Sequence, residues 1–282
     1  SITMYKLVVI VLAGLVGHSM VMSQLNLLSF KVVDLCLSLL TIVFSVLVSN
    51  KLFAWVVGAV TNTESGVITS LILFLILQPS SSPSELAMIS FIGIVAALSK
   101  YVFAWKAKHL FNPVAITLVL FGLFGYGGGI WWVASPAMLP LVLLCLIIVR
   151  QLRREVMFGM FILAFLVGIC FSGMYSGQGI LEFLLEIVSS WPVIFFGSVM
   201  LTEPLTSPTT KKEQAIFGLL VGLLFAVPYK IGKIYSTPEL ALVLGNIFAY
   251  LVNKSDRYQA RLKSVERLAP TIYEFLFATK RP

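Results

Sequence analysis

Glu203 is the side chain with the clearest potential for chemistry in this sequence, because it follows an apolar run and lies beside two prolines. The stretch at residues 201–210 reads Leu-Thr-Glu-Pro-Leu-Thr-Ser-Pro-Thr-Thr. Proline lacks an N–H group and clashes with the preceding helical turn, so two prolines four residues apart interrupt a helix. The neighbouring hydroxyls can satisfy the backbone groups that such a break leaves unpaired. The sequence therefore predicts an interrupted membrane segment with polar groups at its end.

A helix that ends inside a membrane exposes unpaired backbone groups and a partial charge, which suit a polar or charged cofactor. The candidate cofactor-binding residues of this stretch are Glu203, Pro204, Thr206, Ser207 and Thr209. The alternative is that these groups only cap a break in the helix and serve the fold.

The same pattern occurs earlier in the chain, where Gln-Pro-Ser-Ser-Ser-Pro at residues 78–83 follows a short apolar run at 67–77. Three prolines recur at a constant interval of 125 residues, as Pro79 and Pro204, Pro83 and Pro208, Pro113 and Pro238. We interpret this register as two repeats, at residues 5–128 and 130–253. Proline-interrupted segments at corresponding places in two halves indicate an intramembrane binding site.

The composition indicates a polytopic membrane protein. Hydrophobic residues make up 59% of the 282-residue chain and charged residues 11%, whereas a soluble domain carries about 25% charged residues. The mean hydropathy is +1.00. The formal charge of +8 does not indicate nucleic-acid binding, because the basic residues lie in short clusters between apolar runs. The first apolar stretch is better interpreted as one span among many than as a cleaved signal peptide.

Ten apolar segments can be counted, several of them shorter than the roughly 20 residues of a full span. They lie at about residues 5–21, 32–48, 67–77, 86–102, 114–124, 137–149, 156–170, 193–200, 215–227 and 240–252. With the N-terminus inside, most loop lysines and arginines fall on the inner side, as the positive-inside rule requires. Five spans per repeat is an odd number, so the two repeats are predicted to be inverted. Both ends of the membrane domain are then cytoplasmic, in a prokaryotic plasma membrane.

The cysteines and histidines give no metal motif. Cys36, Cys145 and Cys170 lack CxxC spacing and lie in apolar spans, where free cysteine packs as a small hydrophobic residue. An intramembrane iron–sulfur site is the alternative, but it needs four ligands and therefore a second chain. His18 and His109 are isolated in the sequence, and we assign neither to a metal.

The chain changes character near Lys254, where apolar residues begin to alternate with polar ones. Residues 261–266 and 271–277 read as two strands, with Leu268, Ala269 and Pro270 in the turn between them. A lone hairpin is marginally stable in water. We therefore assign residues 1–253 to a transmembrane domain and 254–282 to a linker and the first hairpin of a soluble β-barrel domain.

Several motifs resemble a known family of membrane proteins. Thr-Glu-Pro-Leu-Thr-Ser-Pro-Thr-Thr at 202–210, followed by Phe-Gly-Leu-Leu-Val-Gly at 217–222, resembles the RnfD/NqrB type of membrane protein, which the Rnf complex shares with the sodium-pumping NADH:quinone oxidoreductase. Lys-His-Leu-Phe-Asn-Pro-Val-Ala at 108–115 is similar to that family's Phe-Asn-Pro-Ala element. Residues 131–140 and the tail from Arg261 resemble a branch fused to a ferredoxin–NADP reductase-like domain. The resemblance covers about residues 60–282.

The resemblance implies an all-α polytopic fold of about ten transmembrane helices in two inverted five-helix repeats with broken helices, akin to ammonium and urea channels, followed by the start of the β-barrel domain. It also implies flavin cofactors. The family's Ser-Gly-Ala-Thr element, which carries covalently attached FMN, is absent, and Ser-Gly-Val-Ile-Thr at 65–69 is only a loose counterpart. We therefore expect FMN or riboflavin held non-covalently in the membrane domain, and FAD in a reductase domain beyond residue 282.

Three further residues are candidates for cofactor contact: Asn112, Ser82 and Trp132. Asn112 precedes Pro113 and either binds a ligand or caps the following helix. Ser82, with the neighbouring polar residues, either caps the earlier break or takes part in a second flavin or acceptor-docking site. Trp132, beside Trp131, belongs either to a lipid-facing aromatic belt or stacks on a flavin.

The function expected from these features is transmembrane electron transfer. Electrons would pass from cytoplasmic NAD(P)H through flavins to an extracytoplasmic acceptor, such as a flavinylated protein, and the chain would be the membrane component of a flavin-dependent oxidoreductase. Homo-oligomers are expected by analogy with the channel architecture. The alternative is a small-solute or ion transporter or channel that uses the same inverted-repeat core without redox chemistry. Redox-driven pumping of Na⁺ or H⁺ is a weaker third reading.

Overall fold

The computed structural model describes residues 3–105, 108–126, 128–176, 192–231, 234–253, 260–269 and 272–279. The chain divides into two compact units, Ser1–Val252 and Asn253–Pro282. Within the described residues, the first unit is helical apart from two short hairpins, and the second contains one longer hairpin.

The first half of the larger unit contains five helices. They are α1 (Met4–Gln24), α2 (Val32–Val57), α3 (Thr63–Ile76), α4 (Pro83–Val102) and α5 (Pro113–Leu123). Among the described residues, α1, α2 and α4 are long and apolar enough to cross a membrane. Helix α2 continues past the predicted end at residue 48, because Asn50 and Lys51 are tolerated within it and Gly58, with φ of 68°, ends it.

The second half has a matching order of elements within the described residues. They are α6 (Leu139–Gln151), α7 (Glu155–Ser176), α8 (Val193–Phe195, continued by a π-helical turn at Phe196–Met200), α9 (Lys211–Ala226) and α10 (Pro238–Val252). A two-stranded hairpin follows α4 (β1, Ala104–Trp105, and β2, Lys108–His109) and another follows α9 (β3, Lys230–Ile231, and β4, Ile234–Tyr235). The sequence analysis did not anticipate these four strands, which are too short to show an alternating pattern.

Both proline pairs lie outside the helix interiors. Helix α3 ends at Ile76, and Pro83 is in the first turn of α4, a position that tolerates proline because its N–H would be unpaired anyway. The π-helical turn ends at Met200, and α9 begins only at Lys211. We call residues 77–82 the first break and residues 201–210 the second break.

Hydrogen bonds between distant segments of the chain hold the predicted inner loops together. The end of α2 meets the start of α3 through Asn50 and Asn62, and the end of α4 reaches both through Tyr101 and Lys100. The connection between α6 and α7 reaches the second break, because Arg154 donates to the carbonyl oxygen of Pro208. We call this end of the bundle, which carries most of the basic loops, the basic end.

The first break lies at the opposite end and is closed by the segment that follows α5. The backbone amides of Ile130 and Trp131 both donate to the carbonyl oxygen of Ile76. The Trp132 indole N–H donates to the carbonyl oxygens of Phe74 and Leu77, both at 2.9 Å. Backbone carbonyls at the end of α3, which a broken helix leaves unpaired, thus find donors inside the protein.

Glycines allow α7 and α9 to approach until their backbones touch. A Cβ atom on Gly218 would lie 2.3 Å from the carbonyl oxygen of Met157, and one on Gly222 would lie 2.5 Å from that of Phe161. Small residues four apart are typical of close helix contacts in membranes. This contact fixes α9, which starts directly after the second break.

The smaller unit is an antiparallel hairpin of β5 (Ala260–Ala269) and β6 (Ile272–Thr279). Strands were predicted at both places. The prediction that Leu268 and Ala269 lie in the turn was wrong, since β5 continues through both, and its register shifts between Arg267 and Ala269. Pro270, the third predicted turn residue, lies outside the described residues.

Replacing Gly222 with alanine should destabilise the membrane unit by about 1–3 kcal/mol, because the new methyl group overlaps a backbone carbonyl that cannot move freely. The matched control is Gly159→Ala on the partner helix, where a Cβ meets nothing within 4 Å and alanine favours the helix. Thermal unfolding in detergent checks this. Equal melting temperatures for the two variants would contradict the close contact.

Candidate functional site

Glu203 is the centre of a hydrogen-bonded cluster at the basic end. Its Oε1 lies 3.0 Å from Nε2 of His109, and its Oε2 accepts from Nδ2 of Asn112 at 2.9 Å and from the Thr206 hydroxyl at 3.1 Å. Both oxygens of the carboxylate are therefore fixed. His109 belongs to strand β2 and Asn112 to the start of α5, so two elements of the first half hold a carboxylate of the second.

The rest of the second break is held from several sides. The Ser207 hydroxyl donates to the carbonyl oxygen of Glu203 at 2.7 Å, and Nδ2 of Asn246 on α10 donates to that of Thr206 at 3.0 Å. Arg154, which is 8% exposed, donates to the carbonyl oxygen of Pro208. These contacts satisfy backbone groups that lie outside any helix. The second break is therefore a loop whose conformation is fixed by hydrogen bonds from the surrounding protein.

Asn112 caps α5, which is one of the two roles that the sequence left open, and it also binds Glu203. Its Oδ1 accepts from the backbone amides of Val114 and Ala115, which caps α5, while its Nδ2 donates to Glu203. Its own backbone amide donates to Oδ1 of Asn246. Because one side chain joins the helix cap to the carboxylate, the start of α5 and the second break are fixed relative to each other.

A cavity of about 250 Å³ lies beside this cluster. Its walls come from α1, α3, α5, α6, α8 and the second break. The lining residues are Met4, Tyr5, Val8, Ser65, Ile68, Thr69, Ile72, Asn112, Pro113, Val114, Ile148, Leu152, Val199, Glu203, Pro204 and Leu205. Apolar side chains dominate, and a few polar groups converge on one part of the wall, as in small-molecule sites.

The partly buried side chain of Lys100 adjoins the cavity. Nζ of Lys100 donates to the carbonyl oxygen and the hydroxyl of Ser65, at 3.0 and 3.1 Å. No carboxylate lies within ion-pair distance of this ammonium among the described residues, although Glu203 attracts it at longer range. The cavity wall thus combines a carboxylate, an amide, hydroxyls and a nearby positive charge.

The structure brings together five of the eight predicted site residues. Asn112, Glu203, Pro204, Thr206 and Ser207 lie in the cluster or line the cavity. Thr209 is exposed on the far side of the same break, where its carbonyl oxygen accepts from Gln214. Ser82 and Trp132 lie at the opposite end and do not line the cavity.

Trp131 and Trp132 lie inside the protein and do not form a lipid-facing belt. They are 6% and 5% exposed. Trp132 packs edge-on against Phe30 and Phe74, and Trp131 donates its indole N–H to Oε1 of the buried Glu239 at 2.8 Å. Ser82 bonds to Ser80 and Ser84 at the start of α4.

Sequence reasoning missed His109, Asn246, Lys100 and Tyr5 as neighbours of the site. His109 and Glu203 are 94 positions apart, and no local pattern joins them. One signal was present, because His109 and Asn112 both belong to the motif at 108–115 that carries the resemblance. Among the described residues, no three histidine, cysteine or acidic side chains are grouped to hold a metal ion.

Comparison with known families gives one match. Residues 119–260, half of the chain, fit the model of the NQR2, RnfD, RnfE family. The chain belongs to this family. No curated protein sequence matches it significantly.

The family assignment confirms the resemblance at its coarser level, over a narrower range than residues 60–282. This family is associated with membrane subunits of the Rnf and Nqr electron-transport complexes. Together with the apolar helices, it identifies an integral membrane protein of that type. The matched range contains the second break, α9 and α10, whereas His109 and Asn112 precede it.

Replacing Asn112 with alanine should destabilise the membrane unit by more than the loss of a helix cap, which costs about 1 kcal/mol. It also removes a donor to a carboxylate, a bond worth about 1.5–3 kcal/mol. Asn62→Ala is the matched control, because Asn62 caps α3 through its Oδ1 and touches no carboxylate. In thermal unfolding in detergent, the melting temperature of Asn112→Ala should be well below that of Asn62→Ala. Equal losses would show that the bond to Glu203 contributes nothing.

Proposed function

We propose that this chain is the membrane component of a transmembrane electron-transfer protein that holds a flavin, FMN or riboflavin, non-covalently in the cavity beside Glu203. The observation that carries the proposal is the position of this cavity. In a family of electron-transport membrane subunits, it adjoins a broken helix whose carboxylate faces it.

The residues present fit a flavin ring system. An isoalloxazine has two broad apolar faces and one edge of hydrogen-bonding groups, and the cavity offers apolar walls with a polar patch. Its volume of about 250 Å³ lies just below the roughly 300–1,000 Å³ of small-molecule sites. That size suits the ring system of FMN or riboflavin better than a complete dinucleotide.

Glu203 is the group that would bind the polar edge. A carboxylate offers about four lone-pair positions, and three protein donors occupy three of them. One position is left for a hydrogen bond with a nitrogen of the ring. The flavin supplies the redox chemistry when it is bound, while the protein binds, orients and tunes it electrostatically.

Non-covalent attachment is favoured by the position of Thr69. This residue, the last of the loose counterpart at 65–69, lines the cavity, but its hydroxyl donates to the carbonyl oxygen of Ser65 one turn earlier. The sequence around it also lacks the Ser-Gly-Ala-Thr spacing. Nothing else in the described part of the wall supplies that element.

We further propose the inverted-repeat architecture of ten membrane segments. Corresponding elements follow the two breaks in the same order, each break being succeeded by a helix, a two-stranded hairpin and a second helix. The packing partners also correspond, since α2 packs on α4, α7 packs on α9, and α5 packs on α10. The two breaks lie at opposite ends of the bundle, which supports an inverted relation.

The electron path is proposed from the same arrangement. The basic end faces the cytoplasm of a prokaryotic cell, by the positive-inside rule, together with both ends of the membrane unit. Electrons enter from NAD(P)H through an FAD-containing reductase-like domain of which β5 and β6 are the first hairpin. They leave towards an extracytoplasmic acceptor, for example a flavinylated protein. The membrane unit assembles as a homo-oligomer.

The decisive experiment is cofactor extraction from the purified chain with mass determination. We expect FMN or riboflavin released by acid precipitation, and a visible flavin absorbance that dithionite bleaches. Stoichiometric absence of flavin would overturn the proposal and favour the alternative, a small-solute or ion transporter with the same core.

Glu203→Gln should weaken flavin retention by about 10- to 100-fold, because a hydrogen bond to a charged acceptor is worth about 1.5–3 kcal/mol. Glu239→Gln is the control, since Glu239 is another carboxylate of the same bundle but bonds to Trp131 away from the cavity. Flavin content per protein, measured after equal washing, compares the two. Equal retention in both variants would remove Glu203 from the binding site.

A further inference from the structure

We propose that His109 and Glu203 form a proton-transfer pair that supplies protons from the basic end of the bundle to the redox ligand in the cavity. This inference rests on the proposed function, because it needs a ligand whose reduction consumes protons. It adds a role for two residues of this chain, and it makes reduction depend on the pH at one end of the bundle.

Glu203 lies between His109 and the cavity. Glu203 lines the cavity and is 24% exposed, whereas His109 is 10% exposed and does not line it. Nε2 of His109 lies 3.0 Å from Oε1 of Glu203, within direct proton-transfer distance. The carboxylate therefore stands between the imidazole and a bound ligand. Strand β2, which carries His109, belongs to the hairpin that follows α4 at the basic end.

The presence of a histidine at position 109 favours proton transfer over a purely structural ion pair with Glu203. Asn112 and Thr206 already fix one oxygen of the carboxylate, and a lysine or arginine would serve as well for pairing. Histidine is the side chain that exchanges protons near neutral pH and has two nitrogens that can act in turn. Nε2 faces Glu203, and the structure gives Nδ1 no partner among the described residues.

The charged and titratable neighbours are compatible with this role. Lys100 on α4 interacts electrostatically with Glu203, as does Tyr5 on α1, whose hydroxyl-bearing side chain lines the cavity. Glu64 on α3 acts on Tyr5. Lys100 bonds to Ser65 and leaves the contact between His109 and Glu203 intact.

Protons and electrons balance in this relay. Full reduction of a flavin ring takes two electrons, which come from the NAD(P)H-linked donor, and up to two protons. Each proton would leave Glu203 as its O–H bond breaks and an N–H bond forms on the bound ring. Glu203 regains a proton from Nε2 of His109, where the N–H bond breaks as the O–H bond forms. The imidazole then takes a proton from water at Nδ1.

The test compares His109→Gln with His18→Gln in the full chain carrying its bound flavin. Glutamine keeps a hydrogen-bond donor for Glu203 but cannot transfer a proton. His18, the other of the two histidines, bonds to the carbonyl oxygen of Ala137 at 2.9 Å and serves as the control. Flavin bleaching by dithionite is followed by stopped flow in H₂O and D₂O across the pH range around neutrality.

We expect His109→Gln to slow proton-coupled reduction by about 100-fold, in line with a lost general acid, and to alter the solvent isotope effect. Flavin content and melting temperature should stay close to those of the parent chain, and His18→Gln should behave like the parent. A wild-type rate and isotope effect in His109→Gln would overturn the relay while leaving the flavin site standing.

A second measurement is made on the parent chain and does not need a bound flavin or a folded His109 variant. Infrared difference spectra between mildly acidic and mildly alkaline buffer should show a carboxylate band shifting together with an imidazole band in the parent chain. His18→Gln should keep this coupled signal. Absence of any coupled imidazole–carboxylate signal would overturn the pair. A coupled signal in a protein whose cofactor extraction yields no flavin would instead refute the proposed function alone.

Discussion

The structure depends on one constraint, which is that backbone groups released by a broken helix inside a membrane must find partners within the protein. Lipid offers no hydrogen bonds, and each unpaired buried group costs several kcal/mol. The chain breaks its helices twice, and it closes each break with groups from distant parts of the sequence. At the first break these are the amides of Ile130 and Trp131 and the indole of Trp132. At the second they are Arg154 and Asn246.

The candidate site is a consequence of this closure. The second break carries a carboxylate, and the groups that hold it are aligned by the start of α5 and by the β1–β2 hairpin. The π-helical turn at Phe196–Met200 just before it is a feature that often accompanies functional sites. Close glycine packing between α7 and α9 fixes the helix on the far side of the break. A polar cluster in an apolar bundle is thereby held from several sides by the protein itself.

The carboxylates of Glu203 and Glu239 have different surroundings in the bundle. Glu203 accepts from a histidine, an amide and a hydroxyl, and it borders a cavity. Glu239 is enclosed beside Trp131 and does not line that cavity. An ionisable group inside a membrane is by default a functional candidate. Its neighbouring residues indicate whether its role is functional or structural. Glu203 combines access to the cavity, a histidine partner and a nearby lysine, whereas Glu239 ties the segment after α5 to the start of α10.

The sequence by itself determined the membrane character, the places of both breaks and the polar residues of the second one. Prolines and apolar runs act locally, so Pro79, Pro83, Pro204 and Pro208 could be assigned from their neighbours alone. Asn112 was recognised as a cap or a ligand contact for the same reason. Only the tertiary structure decided that Asn112 caps α5 while donating to Glu203, that His109 reaches Glu203, and that Trp132 lies inside the protein and not in a lipid-facing belt. These outcomes depend on contacts between residues tens of positions apart, and a hydrogen bond between two halves of a chain leaves no periodic trace in either half.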